Sequence, residues 1–298
     1  MSTIAVTGAS SPLGMALLRL LDADPTVTRI VALDVQPPAL ESPKLKFYEA
    51  DSHGPLRSGL EKFKATRAVH LELSLDSRAE AARRRANVSG SASFLTACLA
   101  AQTVEAALLL SSTLVYGAQP TSVARMTEEM PLGATALPLA QQLQEVERQC
   151  QTYRDRYPQM KVSCARLAPV TGAQPDHFIL QGVLKPAAAL GQINPDLQLV
   201  HVEDAARALH TLIGGNANGA YNVAADDAIS LRAAWQQLHV NPPGRASALL
   251  SLAQRLPAGE LEAWRATRPV DNQKLTREFN FTYRYTSSQA LSALASAI

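Results

Sequence analysis

Aromatic residues fill only 5% of the 298 positions, and no run of them offers a platform on which nucleic-acid bases could stack. An excess of one charge is missing too. Lysine and arginine number 28 against 26 acidic residues, a net charge of +2. That balance points away from nucleic acid and from a membrane surface as partners. No apolar run approaches the roughly 18 residues of a membrane-crossing helix; residues 106–110 are among the longest. The N-terminus carries no basic lead and runs straight into a glycine turn, which argues against a secretion leader and for a cytoplasmic protein. Cys98, Cys150 and Cys164 are odd in number and lack metal-ligand spacing. They read as reduced thiols in or near the core, with no metal site. Two narrower gaps prove more informative. No tyrosine lies between Tyr116 and Tyr153, and no lysine between Lys64 and Lys161.

What is present supports a large core: 47% of residues are hydrophobic and 18% charged, which excludes a disordered or coiled-coil chain. Short apolar runs predict strands over 3–6, 29–33, 46–49, 68–73, 106–110 and 162–167. Helical spacing predicts helices over 12–22, 78–101 and 141–156. Strands separated by helices mean a parallel sheet covered on both faces. The fold class is therefore α/β, a Rossmann-type doubly wound parallel sheet with a small mixed C-terminal lobe. Residues 1–172 form the first unit and 173–298 the second, interleaved with it and punctuated by prolines. The triplet Arg83–Arg85 reads as a solvated helix face.

The segment Thr7-Gly8-Ala9-Ser10-Ser11-Pro12-Leu13-Gly14 joins the first strand to the first helix. A glycine turn there lets backbone N–H groups at a helix N-terminus approach a pyrophosphate. Asp34 closes the second strand, where a carboxylate accepts a ribose 2′-hydroxyl and repels a 2′-phosphate. Strand, turn, helix and acid together predict NAD as cofactor. The glycine pattern is incomplete, since Ser11 stands where a third glycine would fall. Ser11 is a good N-cap and Pro12 suits the first helical position. Proline has no N–H, so one pyrophosphate donor is lost, worth about 1 kcal/mol.

These residues resemble the extended short-chain dehydrogenase/reductases, the nucleotide-sugar epimerases and dehydratases. The resemblance runs over nearly the whole chain. It takes in the glycine turn, Asp34, Ala50-Asp51 and Val69-His70-Leu71. It continues through Asn87-Val88-Ser89-Gly90, Ser111-Ser112-Thr113-Leu114-Val115-Tyr116-Gly117 and Arg166-Leu167, then Val200-His201-Val202-Glu203-Asp204 and Gly219-Ala220-Tyr221-Asn222-Val223. It implies cofactor contacts from Gly8, Ser10, Ser11, Pro12, Leu13, Gly14, Asp34, Asp51, Ser52, Leu71, Glu72, Asn87 and Ser111. Ser112 would orient a substrate oxygen, and Glu129 lies on a loop where family dehydratases often carry an acid. A small-molecule ligand of the nucleotide-sugar class and a homodimer through helices over 84–101 and 139–156 are also implied. Leu139, Leu143 and Val146 would form the dimer seam, the alternative being that this stripe faces only the chain's own sheet.

Family chemistry uses a tyrosine and a lysine four residues later on one helix face, the tyrosine moving a hydroxyl proton. If Glu147 and Arg148 match the family's helix end, those positions hold Leu139 and Leu143. Tyr157-Pro158-Gln159-Met160-Lys161 has the literal spacing, but Pro158 opposes a continuing helix. Diphosphate recognition is thin as well. Pro169 stands where epimerases place an amide and Leu197 where an arginine is common, while Arg268 reads either as a replacement for that arginine or, the favoured reading, as a surface arginine. Glu72 either caps a helix or repels a negative ligand. The sequence supports an NAD-binding protein with a degenerate proton-transfer site. Its alternatives are an active enzyme using Ser112, Tyr116, Glu128 or Glu129, and a structural subunit without cofactor.

Overall fold

The computed structural model describes residues 1–51, 54–75, 80–120, 122–173, 177–241, 256 and 259–295. Its centre is a seven-stranded parallel sheet, formed because its inner strands are apolar on both faces. In β1 (Ser2–Thr7), Ile4, Ala5 and Val6 are all buried. β2 (Val27–Asp34) and β3 (Leu45–Glu49) lie to one side of it. β4 (Arg67–His70), β5 (Ala106–Ser112), β6 (Lys161–Leu167) and β10 (Gly219–Val223) lie to the other. Thr7 pairs with Leu33 on one flank and His70 on the other. The chain thus reverses direction across the sheet between β1 and β4, and ligands of such sheets bind outside the strand ends at that point.

Helices cover both faces. α1 (Pro12–Ala23) buries Leu13, Leu17, Leu18 and Leu21 against one face, and α7 (Val202–Gly214) packs beside it. α2 (Leu56–Phe63), α4 (Gly90–Ala100) and α5 (Pro138–Arg156) cover the other, α4 being preceded by α3 (Glu80–Arg84) and a π-helical turn, Arg85–Ser89. β10 and α7 both come from beyond residue 172 and complete the sheet and its outer layer. The rest of the C-terminal half is short. It comprises α6 (Phe178–Leu184), α8 (Leu231–Gln237), α9 (Glu260–Ala266), α10 (Gln273–Phe279) and α11 (Ser287–Ala295). Two small sheets join them: β7 (Val170–Thr171) with β9 (Val200–His201), and β8 (Asp196–Leu197) with β11 (Ile229–Ser230).

Two expectations are corrected here. Arg83 is not on a solvated face: it is 4% exposed, and its Nε donates to Gln142 on α5, while Arg84 is exposed and pairs with Glu145. Leu139, Leu143 and Val146 do not form an outward seam. All three are buried within the chain's own core, because the α5 stripe turns toward the sheet and the loop after β5. The three cysteines are free and buried.

Candidate functional site

At the reversal point the glycine turn is built by its own hydrogen bonds. Ser11 caps α1: its Oγ accepts from the Gly14 N–H (3.0 Å) and donates to the Gly8 carbonyl (2.7 Å). Pro12 occupies the first helical position. Gly8 has φ +64°, a conformation that favours glycine. A Cβ at Gly14 would sit 2.5 Å from the Gly8 carbonyl oxygen, so the turn and the helix meet at a distance only glycine allows. A side chain at Gly8 would meet the backbone of Leu71 and Glu72 at 3.2 Å. The end of β4 therefore closes over the turn, and Glu72 lies across it.

Asp34 is tied into the same turn. Its Oδ2 accepts from the Ser10 amide (2.9 Å) and hydroxyl (2.8 Å), and its Oδ1 from the Val35 amide (2.7 Å). An ionised carboxylate has about four acceptor sites, so one remains for a ribose hydroxyl. The Leu13 side chain is buried in the core. Asp51 is exposed at the end of the β3 exit, and Ser52 lies outside the described residues.

Beneath the turn, the Thr7 hydroxyl lies 2.7 Å from His70 Nδ1, and the His70 ring stacks on Phe94. Burial pushes His70 down to about 3 and His177 to about 4, and each leaves its Nε2 without a partner among the described residues. Both sites therefore favour the neutral ring. The unfolded chain takes up these protons near pH 6.5 and the folded chain does not, so stability falls as pH drops from 6.5 toward 4. The unfolding free energy from urea denaturation is expected to be flat above pH 7 and to decline below 6.5, by at most about 1.4 kcal/mol per pH unit per histidine. His70→Gln should make that decline shallower, and an unchanged slope would contradict the assignment.

The π-helical turn presents Asn87 inward, a distortion often found at functional sites. Asn87 brackets Ser74, accepting from its N–H (2.8 Å) and donating to its carbonyl (3.0 Å), and reaches Gln142 at 3.3 Å. It thereby fixes the segment after β4 against α5.

On the other side of the reversal, Ser112 ends β5 and caps a 3-10 turn, its Oγ accepting from the Leu114 N–H at 3.3 Å. Ser111 points the opposite way. It is fully buried and donates to Glu147 at 2.5 Å. Glu147 in turn pairs with Arg166, the shortest contact being 2.6 Å, with both side chains under 8% exposed. Arg166 donates to the Tyr116 hydroxyl (2.9 Å), which donates to Asn222 Oδ1 (2.7 Å). The Asn222 N–H reaches Glu128 at 2.8 Å. This chain of contacts, which the sequence reading missed, joins β5, β6, β10 and α5 below the strand ends. Burial pushes Tyr116 up to about 12, against the opposing pull of Arg166. Burial also raises Glu128. Glu129 is exposed, held below the usual carboxylate range by its own backbone N–H and by nearby Lys274 and Arg277.

Above this network opens a cleft between the loop after β5, the β6 exit and α9. Arg268 lines it and is half-buried, which corrects its reading as a surface arginine. Leu139 and Leu143, in one core cluster with Leu110, Val115 and Tyr116, sit on α5 below. Tyr157 ends α5 and Lys161 opens β6, so those two share no helix face.

Comparison with known proteins places this geometry. The model of the NAD dependent epimerase/dehydratase family matches residues 4–224. Uncharacterized protein Rv0501 of Mycobacterium tuberculosis and uncharacterized protein Mb0513 of Mycobacterium bovis are each 28% identical over 244 residues. The match takes in 76% of this chain and 63% of each relative's length, so the chain spans less than two thirds of the curated proteins it resembles. Among solved structures, the UDP-Glc/GlcNAc 4-epimerase from Campylobacter jejuni superposes with a TM-score of 0.78 at 17% identity, over 99% of this chain and 98% of that one. MoeE5 in complex with UDP-glucuronic acid and NAD gives 0.73 at 20% identity, over 99% and 98%. DesIV, a dTDP-glucose 4,6-dehydratase from Streptomyces venezuelae with NAD and TYD bound, gives 0.76 at 18% identity, over 99% and 96%. These likenesses establish a shared fold.

Proposed function

The chain belongs to the NAD dependent epimerase/dehydratase family, and from that premise we propose that it binds NAD without carrying out the family's tyrosine–lysine hydride chemistry. The observation that carries this reading is the pairing of a formed glycine turn with an apolar α5. Gly8, Gly14, Ser10 and Asp34 form a tight turn in which a Cβ at either glycine would meet the chain's own backbone. Residues 139 and 143, where the dyad is needed, are two buried leucines.

Residues of this chain that would hold NAD are the backbone of Gly8–Gly14 around the pyrophosphate and Asp34 at the adenosine ribose. When bound, NAD supplies a hydride acceptor at C4 of its nicotinamide. A substrate hydroxyl must lose its proton as that hydride leaves, and an unassisted alcohol is a poor donor at neutral pH. Tyr116 has its own proton committed to Asn222, and Glu128 is held by the Asn222 N–H. Ser112 has no base beside it in the described contacts. The reading of an active enzyme with displaced acid and base therefore draws no support from these side chains.

Calorimetric titration of the full chain tests the cofactor half of the proposal. NAD is expected to bind at least about tenfold tighter than NADP, a difference of roughly 1.4 kcal/mol, because Asp34 would face the 2′-phosphate. Asp34→Ala should weaken NAD and narrow the preference. Tighter binding of NADP by the unaltered chain would refute the assignment of Asp34.

The proposal includes a homodimer through the outer faces of α4 and α5, where Thr96 and Tyr153 share a hydrogen bond at 2.8 Å. Light scattering at tens of micromolar is expected to give twice the 31.9 kDa chain mass. The mass of one chain would refute it.

A further inference from the structure

We propose that Gln142 of α5 is a cofactor contact, its side-chain N–H₂ donating to the nicotinamide half of NAD. This deepens the reading above and rests on it, since it needs the dinucleotide to lie across the glycine turn.

α5 carries five glutamines. Four of them use Nε2 within the protein. Gln144 donates to the carbonyls of Val115 and Gly133, both at 2.8 Å, and Gln141 to that of Thr135 at 2.8 Å. Gln149 donates to the Val88 carbonyl at 3.4 Å and Gln151 to Asp155 at 2.8 Å. Gln142 differs. Its Oε1 accepts from Arg83 Nε (3.2 Å) and Asn87 Nδ2 (3.3 Å), while its Nε2 makes no hydrogen bond among the described residues. Both neighbours are N–H donors, so the amide cannot be turned around. The oxygen must face them and the N–H₂ must face away. The residue is 2% exposed. A buried donor without an acceptor is costly, and this one is held in place by two hydrogen bonds on its oxygen side. It calls for an acceptor that the described chain does not supply.

The strand order says which part of a dinucleotide brings that acceptor. Asp34 closes β2 on one side of β1, and the turn Gly8–Gly14 leaves β1 itself. With its adenosine ribose at Asp34 and its pyrophosphate at the turn, NAD continues to the other side, over the ends of β4 and β5. Gln142 is joined to that end. Its donor Asn87 holds Ser74 by two hydrogen bonds, of 2.8 and 3.0 Å, and Ser74 lies two residues beyond Glu72, which crosses the turn. The nicotinamide half carries ribose hydroxyls and a carboxamide oxygen, and each accepts from an amide N–H. A neutral amide moves no proton at working pH. The contact therefore adds binding and leaves the missing proton transfer unreplaced.

Calorimetric titration of the full chain with NAD, and with ADP, which lacks the nicotinamide half, tests the proposal. Gln142→Glu keeps an acceptor for Arg83 and Asn87 and removes the donor. Gln142→Met removes both without adding charge. In each variant NAD is expected to weaken about three- to tenfold relative to ADP, the usual worth of one hydrogen bond. Urea denaturation checks that each variant is folded, and where one is not, the other decides. A merely structural role would weaken both ligands alike or shift only the urea transition, and either result overturns the proposal. So does a folded variant in which the ratio of NAD to ADP affinity falls by less than about threefold. NAD binding no tighter than ADP in the unaltered chain would overturn it too, with the cofactor turn left standing. No heat with either ligand would refute the cofactor reading, and this proposal with it.

Discussion

Glu147→Ala is expected to lower the unfolding free energy by roughly 3–5 kcal/mol, the loss typical when one partner of a buried ion pair is removed. The cause is the isolation of Arg166. Burial alone would lower that guanidinium, but Glu147 and Tyr116 outweigh it and hold it charged. Without Glu147 the charge stays at a position 5% exposed to water, and the Ser111 hydroxyl loses its acceptor. Surface charges give the contrast. Arg57 and Glu61 are well exposed, and Glu61→Ala should cost less than about 1 kcal/mol. Urea denaturation of both variants measures the difference. A double change, Glu147→Leu with Arg166→Met, should recover much of the loss because no unpaired charge remains. If Glu147→Ala unfolds within about 1 kcal/mol of the parent, the network does not hold the strand ends as described.

Turnover on UDP-, GDP- or dTDP-sugars is expected to fall roughly 10²–10⁴-fold below ordinary family rates, the usual cost of losing a positioned acid–base group. Leu139 and Leu143 can neither take a proton nor hold a ribose, and a poorly fixed nicotinamide costs further rate. Leu139→Tyr with Leu143→Lys asks whether the remaining site is intact. Leu143 is fully buried, so an ammonium there is expected to lower stability measurably and to restore little activity. Turnover by the unaltered chain at about 1 s⁻¹ or faster, within the common enzyme range, would refute the non-catalytic reading. Glu129, Tyr116 and Tyr157 would then be the first side chains to replace.

The sheet was legible because its strands are apolar runs and its first turn is punctuated by Gly8, Pro12 and Gly14. Local signals of this kind need no partner. α2 was not legible: it is eight residues long, and its N-cap, Pro55, makes no side-chain cap. The strand predicted over 68–73 stops at His70, where the Leu71 N–H bonds back to Thr7 and the chain crosses the turn. The burial of Arg83 and of Ser111 was not legible for a different reason. Burial of a polar side chain depends on a partner far along the chain, Gln142 for one and Glu147 for the other, and no local pattern encodes it. The same holds for Glu128 and Glu129, adjacent acids of which the fold uses the first. The spacing of Leu139, Leu143 and Val146 correctly marks a buried face, but does not say whether a second copy or the chain's own core covers it.

The most direct test of the central claim follows the emission of NADH mixed with the full chain and a nucleotide sugar carrying a keto group. Binding without hydride chemistry predicts a saturable change in emission, reversed by excess NAD, that then stays constant over hours. Decay of the signal with appearance of the reduced sugar would contradict the loss of chemistry. No change in emission at any protein concentration up to hundreds of micromolar would contradict the cofactor site itself.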